Sequence, residues 1–295
     1  MRAAYSALAS MTLLCLYQHR LLSTSQLRRL LLPDAAGSSY LRRELATLRA
    51  GGLVDAVGSG SAGEALWFVT SAGAELAEDS GQVAVRSYRM TPGRAAGALQ
   101  QHTLAVNDVG IAFADVARQR GDTCGPLDWT PEVAHQIRRG QHLICDALLD
   151  YVAEDQDAGT RTQLRWFIEL DRATMPVARL AAKLAIYAEY AQLTRPGRDR
   201  VPAWRQRYPA FPRLLVVLAG ASDPALQRRA CDLGAAAAAG GALRRAHVAA
   251  GVTTLANLRE YGPFERVFIR LGEDDMAECT ALLEPHLPDT ERVRQ

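Results

Sequence analysis

Four acids and one lysine carry the chemistry this chain could do. Glu169 and Asp171 stand two apart in LRWFIELD, where Leu164 to Leu170 mixes aromatic and branched apolar residues and reads as a buried strand. Residues two apart on a strand leave the same face, so both acids converge at the strand's end. Two carboxylates aimed at one spot repel unless a proton or a cation joins them. A divalent ion held by carboxylate oxygens is the hard-ligand answer. A third acid, Asp146, lies in the strand-like run HLICDALLDYV, and a fourth, Glu132, in WTPEVAHQI before it. After the acid-bearing strand, Val177, Leu180, Leu184, Tyr187 and Ala188 recur near helical period. Thr174 is the N-cap candidate, with Met175 and Pro176 as the first helical residues. Lys183 falls one turn before Tyr187 and is the only lysine among the 34 basic residues.

The order Glu, Asp on the next strand, Glu-x-Asp, then a helix with Lys resembles the metal-dependent nuclease fold whose signature is Asp on one strand and (Asp/Glu)-x-Lys on the next. Asp171 occupies the signature lysine position, and Lys183 would have to reach back from the helix. That resemblance implies Asp146 and Glu169 as ligands of Mg2+, Asp171 assisting, Lys183 replacing the shifted lysine and Glu132 orienting the site. A metal-activated water would attack phosphate in line. The competing reading is structural: Asp171 caps the next helix, Asp146 pairs with an arginine, and Arg161, Arg165 or Arg172 fills the cleft. An acid where the mechanism needs a cation works against charge stabilisation, which favours a fold without the catalysis.

The length of 295 residues allows two domains, and 48% hydrophobic content suffices for folded cores. A net charge of +2 argues neither for nor against a nucleic-acid partner. The five cysteines and six histidines are scattered without metal-ligand or redox spacing. The thiols read as free, in a reducing cytoplasm, and zinc is not expected. No apolar run is long enough for a membrane span. The first 22 residues suggest a signal peptide only superficially: Tyr5, Gln18, His19 and Arg20 break the run, whose apolar positions suit an amphipathic helix.

Residues 1–80 read as three helices and a hairpin. The first helix spans roughly Tyr5 to His19. The second follows Ser23, a capping-box N-cap with Gln26 three residues on, and stops at Pro33. The third opens at Ser38 or Ser39 and stops at Gly51 and Gly52. LVDAV, the Gly/Ser-rich GSGSAGE and ALWFV make the hairpin, and TSAGAELAEDSG a closing helix. This order looks like a winged helix, with LRRELATLRAGGLV similar to a recognition helix and wing entry. A recognition helix lies in the major groove. Tyr40, Arg42, Arg43 and Thr47 are then the groove candidates, Ser38 and Ser39 face phosphate, and Arg28 and Arg29 reach the DNA backbone. Up to Gly60 seven arginines (Arg2, Arg20, Arg28, Arg29, Arg42, Arg43, Arg49) face three acids (Asp34, Glu44, Asp55), a moderate electrostatic footprint. A protein-contact winged helix with a solvated arginine face is the alternative.

Residues 81–99 lack periodicity and read as a linker, either solvated or an arm with Arg86, Arg89 and Arg94 near DNA. From residue 100 the pattern is helix, three strands, helix, strand, helix and strand. The expected fold class is therefore two-domain α/β, with the winged helix followed by an α/β domain, residues 100–295, built on a mixed sheet flanked by helices. Asp223 is its expected cap for the helix with Pro224 at the first position. The chain beyond Asp274 is expected as a last helix or partly disordered.

LLCLYQHRLLSTSQLRRLLLP, LRRELATLRAGGLV, HTLAVNDV, ICDALLDY, FIELDRAT, KLAIYAEY and FPRLLVVL together resemble the replication-relaxation family. The resemblance implies a winged helix fused to a nuclease-like α/β domain on proteins of plasmids or integrative elements. Glu169, Asp171, Lys183, Tyr187, His102, Asn107 and Asp108 fall on the family's pattern. The expectation is a non-catalytic DNA-binding protein acting in replication, transfer or transcriptional regulation, nucleoid-associated, with double-stranded DNA as partner. A homodimer and replication or transfer proteins are further expected partners. A metal-dependent endonuclease or nickase using Mg2+, and a pure protein-interaction module, are the alternatives.

Overall fold

The structure is a computed structural model describing residues 5–58, 64–97, 99–194, 201–273 and 277–283. The chain divides into two compact units, residues 1–131 with 151–162, and residues 132–150 with 163–295.

In the first unit, α1 (Ala7–His19) starts at Ser6, whose hydroxyl accepts from the Ala9 N–H at 3.0 Å. β1 (Leu22–Ser23) leads into α2 (Thr24–Leu31) through the expected capping box. Ser23 accepts from the Gln26 N–H at 3.1 Å, and the Gln26 amide oxygen accepts from the Ser23 N–H at 3.1 Å. α3 (Ser39–Ala50) follows Ser38, which makes no side-chain cap bond, and ends at Gly51 and at Gly52 in the left-handed region. β2 (Val54–Gly58) and β3 (Ala65–Val69) pair antiparallel, and β1 joins β3 on its other edge. The hairpin tip, residues 59–63, lies outside the described residues. α4 (Ser71–Asp79) is capped by Thr70. A Cβ at Gly73 would lie 1.9 Å from the Leu53 carbonyl oxygen, so the helix start can approach the hairpin base only without a side chain there.

The expected linker is not free chain. Tyr17 donates to the Ala84 carbonyl at 3.0 Å, Arg86 to the Gln18 carbonyl at 3.1 Å, and Arg89 to Glu78 at 2.9 Å. Ala95, in α5 (Pro92–Ala95), is buried with Leu21, Leu66 and Phe68. α6 (Gln100–Arg120), expected in the second domain, belongs to the first unit. Gln26 donates to Asp108 at 3.0 Å and to the Leu104 carbonyl at 2.9 Å, while Asn107 donates to the Leu21 carbonyl at 2.8 Å. The linker expected at residues 81–99 therefore does not divide the units, and the boundary moves beyond α6, because buried polar side chains of α6 are satisfied by the α1–α2 junction.

The long strands β4 (Trp129–Arg138), β5 (Gln141–Asp155) and β6 (Thr160–Asp171) contribute residues to both units. The turn at Arg139 and Gly140, with Gly140 at φ 78°, joins β4 to β5 as the sequence predicts. Then come α7 (Val177–Gln192), a 3-10 turn (Ala203–Gln206), β7 (Arg213–Leu218), α8 (Asp223–Gly240) and α9 (Ala242–Arg245). β8 (Ala250–Thr254), α10 (Leu255–Tyr261), β9 (Phe268–Arg270) and β10 (Glu278–Cys279) close the described chain. Among the described residues the sheet order is β10-β9-β8-β7-β6-β5-β4, parallel across β6, β7 and β8 and antiparallel across β8, β9 and β10. The chain is thus a two-unit α/β protein with a mixed sheet flanked by helices. One core layer joins Phe167, Val216 and Leu218 of the strands to Leu180, Leu184 and Tyr187 of α7 and Leu226 and Leu233 of α8.

Three local expectations change. α7 begins at Val177 behind Pro176, whose backbone stays extended (ψ 143°), so neither Thr174 nor Met175 caps or opens it. Ser222 is the N-cap of α8, and Asp223 falls in the first turn, where its charge faces the unpaired N–H groups. Residues 277–283 carry an edge strand in place of a helix, and residues 284–295 lie outside the described residues. No helix among the described residues is long and apolar enough to cross a membrane.

Candidate functional site

The second unit brings Asp146, Glu169, Lys183 and Tyr187 together. Glu169 lies on β6 in register with Val216 and is 3% exposed. Lys183 and Tyr187 sit four apart on α7 and so share one helix face. Lys183 donates its ammonium to Glu169 Oε2 and Tyr187 its hydroxyl to Oε1. Asp146 on β5 uses Oδ2 to accept the Leu170 N–H at 2.7 Å, one residue beyond Glu169.

Burial is the main cause that pushes the Glu169 carboxyl up to about 8, and the negative charge of Asp146 adds to it. The Lys183 ammonium and the Tyr187 hydroxyl pull the other way. Burial also works against the Lys183 ammonium, but Glu169 and then Asp146 outweigh it and hold its pKa above the usual value. Tyr187 is raised well above its ordinary range, first by burial and then by the charge of Glu169.

Asp171 leaves β6 toward the same helical layer but finds a different partner. Arg229 of α8 donates Nε to Asp171 Oδ2 and a terminal N–H to the Met175 carbonyl at 2.5 Å. Arg229 carries out the cleft-filling role that the sequence reading gave to Arg161, Arg165 or Arg172. Arg161 pairs instead with Glu154 and Arg165 with Asp150. Pro176, not Asp171, stands at the N-cap of α7. Glu132 stands on β4 with φ at 52°.

A divalent ion does not fit the four residues as they are arranged. Both Glu169 oxygens already accept from Lys183 and Tyr187, and an ammonium stands on the carboxylate that would have to bind metal. Asp171 is drawn off to Arg229. Among the described residues no three His, Cys, Asp or Glu side chains come close enough to hold a metal ion.

In the first unit, α3 buries Leu41, Leu45 and Leu48 and exposes Ser39, Tyr40, Arg42, Arg43 and Thr47; Ser38 is half-buried. The Arg43 guanidinium lies 6.0 Å from the Tyr40 ring centre, and the Thr47 hydroxyl donates to the Arg43 carbonyl at 3.0 Å. Arg28 and Arg29 are not displayed in the same way. Arg28 donates to the Ala35 carbonyl at 2.9 Å, and Arg29 pairs with Asp115 of α6. Sequence reasoning missed Arg229 and the Asp115 pairing; neither partner has a local signal, since each lies 58 or 86 residues from its acid or base.

Residues 13–201 match the replication-relaxation family, well over half of the 295 residues. The chain belongs to that family. None of the curated proteins matches it. Among solved structures, the restriction endonuclease FokI bound to DNA is 10% identical, with a TM-score of 0.28, over 86% of this chain and 44% of that one. This chain therefore spans under half the length of that protein.

Proposed function

We propose that the chain is a non-catalytic DNA-binding protein of a plasmid or integrative element, acting in replication, transfer or transcriptional regulation. The helix–strand–helix–helix–hairpin order supports a winged-helix head, and double-stranded DNA is its partner. The observation that carries the reading is the two-sided α3: three leucines in the core, with Tyr40, Arg42, Arg43 and Thr47 outward. An outward face with two arginines, an aromatic ring and a hydroxyl suits phosphates and base edges in a major groove. Fluorescence anisotropy with labelled duplex DNA over a salt series tests it. Affinity that falls steeply with salt is expected; no binding at low salt would leave a protein-interaction module, working with replication or transfer proteins or as a homodimer.

One observation favours a second reading, a metal-dependent endonuclease or nickase. Lys183 does reach back to Glu169, with Asp146 beside it, as a displaced signature lysine would. Incubation with supercoiled plasmid in Mg2+ or Mn2+ decides it, since nicked or linear product appears only under that reading.

A further inference from the structure

We infer that Lys183 is the resident cation of the Glu169–Asp146 pair, and that the pair takes up a divalent ion only once Lys183 is removed. Two carboxylates brought together on neighbouring strands repel unless a proton or a cation joins them. Here the cation comes from the chain itself. The ammonium contacts Glu169 directly, and Asp146 acts on both groups. The Tyr187 hydroxyl donates to the other Glu169 oxygen, so each oxygen already has a donor from α7 where a metal would have to compete.

The identity of the cation fits the space. The chain uses arginine at every other basic position. A lysine is a compact point charge on a thin stem, whereas a guanidinium is a broad planar fork. Cys145, fully buried beside this cluster, and Phe167, whose ring centre lies 5.4 Å from that of Tyr187, pack around a carboxylate that is 3% exposed. The role is that of a metal in a structural site, joining β6 to α7, without a metal's chemistry.

The test uses the full chain and Mn2+ alone. Isotope-labelled lysine gives a single side-chain signal, because Lys183 is the only lysine. In the wild type that signal is expected to survive Mn2+ without paramagnetic loss, and the thermal midpoint to stay put. Lys183→Ala is expected to bind Mn2+ at least about tenfold more tightly than wild type, the scale on which groups around a metal site tune affinity. Adding Asp146→Asn to Lys183→Ala should abolish that gain. Wild-type Mn2+ binding that Asp146→Asn or Glu169→Gln removes overturns the inference. So does a folded Lys183→Ala that gains nothing. If Lys183→Ala does not fold alone, refolding it in Mn2+ reads the same question: recovery supports the inference and failure to recover overturns it. None of these readouts depends on DNA binding, so they stand apart from the function of the head.

Discussion

Arg229, in the second turn of α8, holds the buried carboxylate of Asp171 at the end of β6. Asp171 is 2% exposed, and its other oxygen, Oδ1, has no hydrogen-bond partner, so the guanidinium is what balances its charge. Removing one member of a buried pair leaves an uncompensated charge, which costs about 3–5 kcal/mol. Arg229→Ala should therefore lower unfolding stability by roughly that amount in urea titration. Pairing it with Asp171→Asn should recover much of the loss, because the stranded charge is gone. A double variant no better than the single one would show that Arg229 acts through packing, or through Met175, rather than through Asp171.

Gly110 of α6 lies against Trp129, whose indole stacks on His19 at 4.1 Å between ring centres. A Cβ on Gly110 would come within 2.4 Å of the Trp129 ring. The indole is fully buried and cannot swing aside without losing its stack on His19. Gly110→Ala should cost about 1–3 kcal/mol, the usual penalty of overpacking. Near-ultraviolet circular dichroism should change with it. A variant of wild-type stability would mean the α6–Trp129 contact is looser than the structure places it.

Which parts were legible in the sequence follows from how local their causes are. The Ser23–Gln26 box and the Gly51–Gly52 stop need only neighbours a few residues away, and the structure has both. The strand bearing Glu169 and Asp171 and the helix bearing Lys183 were also readable, because strand and helix periods fix which side chains share a face; the convergence of the two acids was not, since Asp171 turns to Arg229 and Glu169 to Lys183. Arg229 and Asp115 were not readable, since their partners come from far along the chain through sheet order and helix packing. The domain boundary was misplaced for the same reason. HTLAVNDV reads as the start of a new helical domain, but its Asn107 and Asp108 bond back to Leu21 and Gln26.

The two arginine pairs of the head should respond differently to substitution. Arg42 and Arg43 are exposed on α3, whereas Arg28 and Arg29 are committed to Ala35 and Asp115. Arg42→Ala and Arg43→Ala should each weaken duplex binding and reduce the salt slope by about one. Arg29→Ala should leave the slope nearly unchanged and instead loosen the α2–α6 contact, visible as a lower thermal midpoint. Equal slopes for all three would mean that Arg29 leaves Asp115 for phosphate when DNA binds.

Glu169 gives the fold a pH dependence of definite sign. Its carboxyl rises from 4.5 in an unstructured chain to about 8 in the fold, first through burial and then through Asp146. The folded state then holds the proton more tightly than the unfolded state. Its contribution is fully present below about pH 4.5 and is lost as pH rises through about 8. His135 works in the opposite sense: burial, with the Arg207 charge, lowers it from 6.5 to about 4. Its neutral form accepts or donates at Tyr208, 2.6 Å away, and its contribution is present above about pH 6.5 and lost as pH falls through about 4. Above pH 6.5 the Glu169 slope is therefore no longer opposed by His135. Wild-type stability should decline between about pH 6.5 and 8, and Glu169→Gln, which cannot ionise, should flatten that decline when both proteins are unfolded in urea at stepped pH. An equal decline in both would assign the slope to another group.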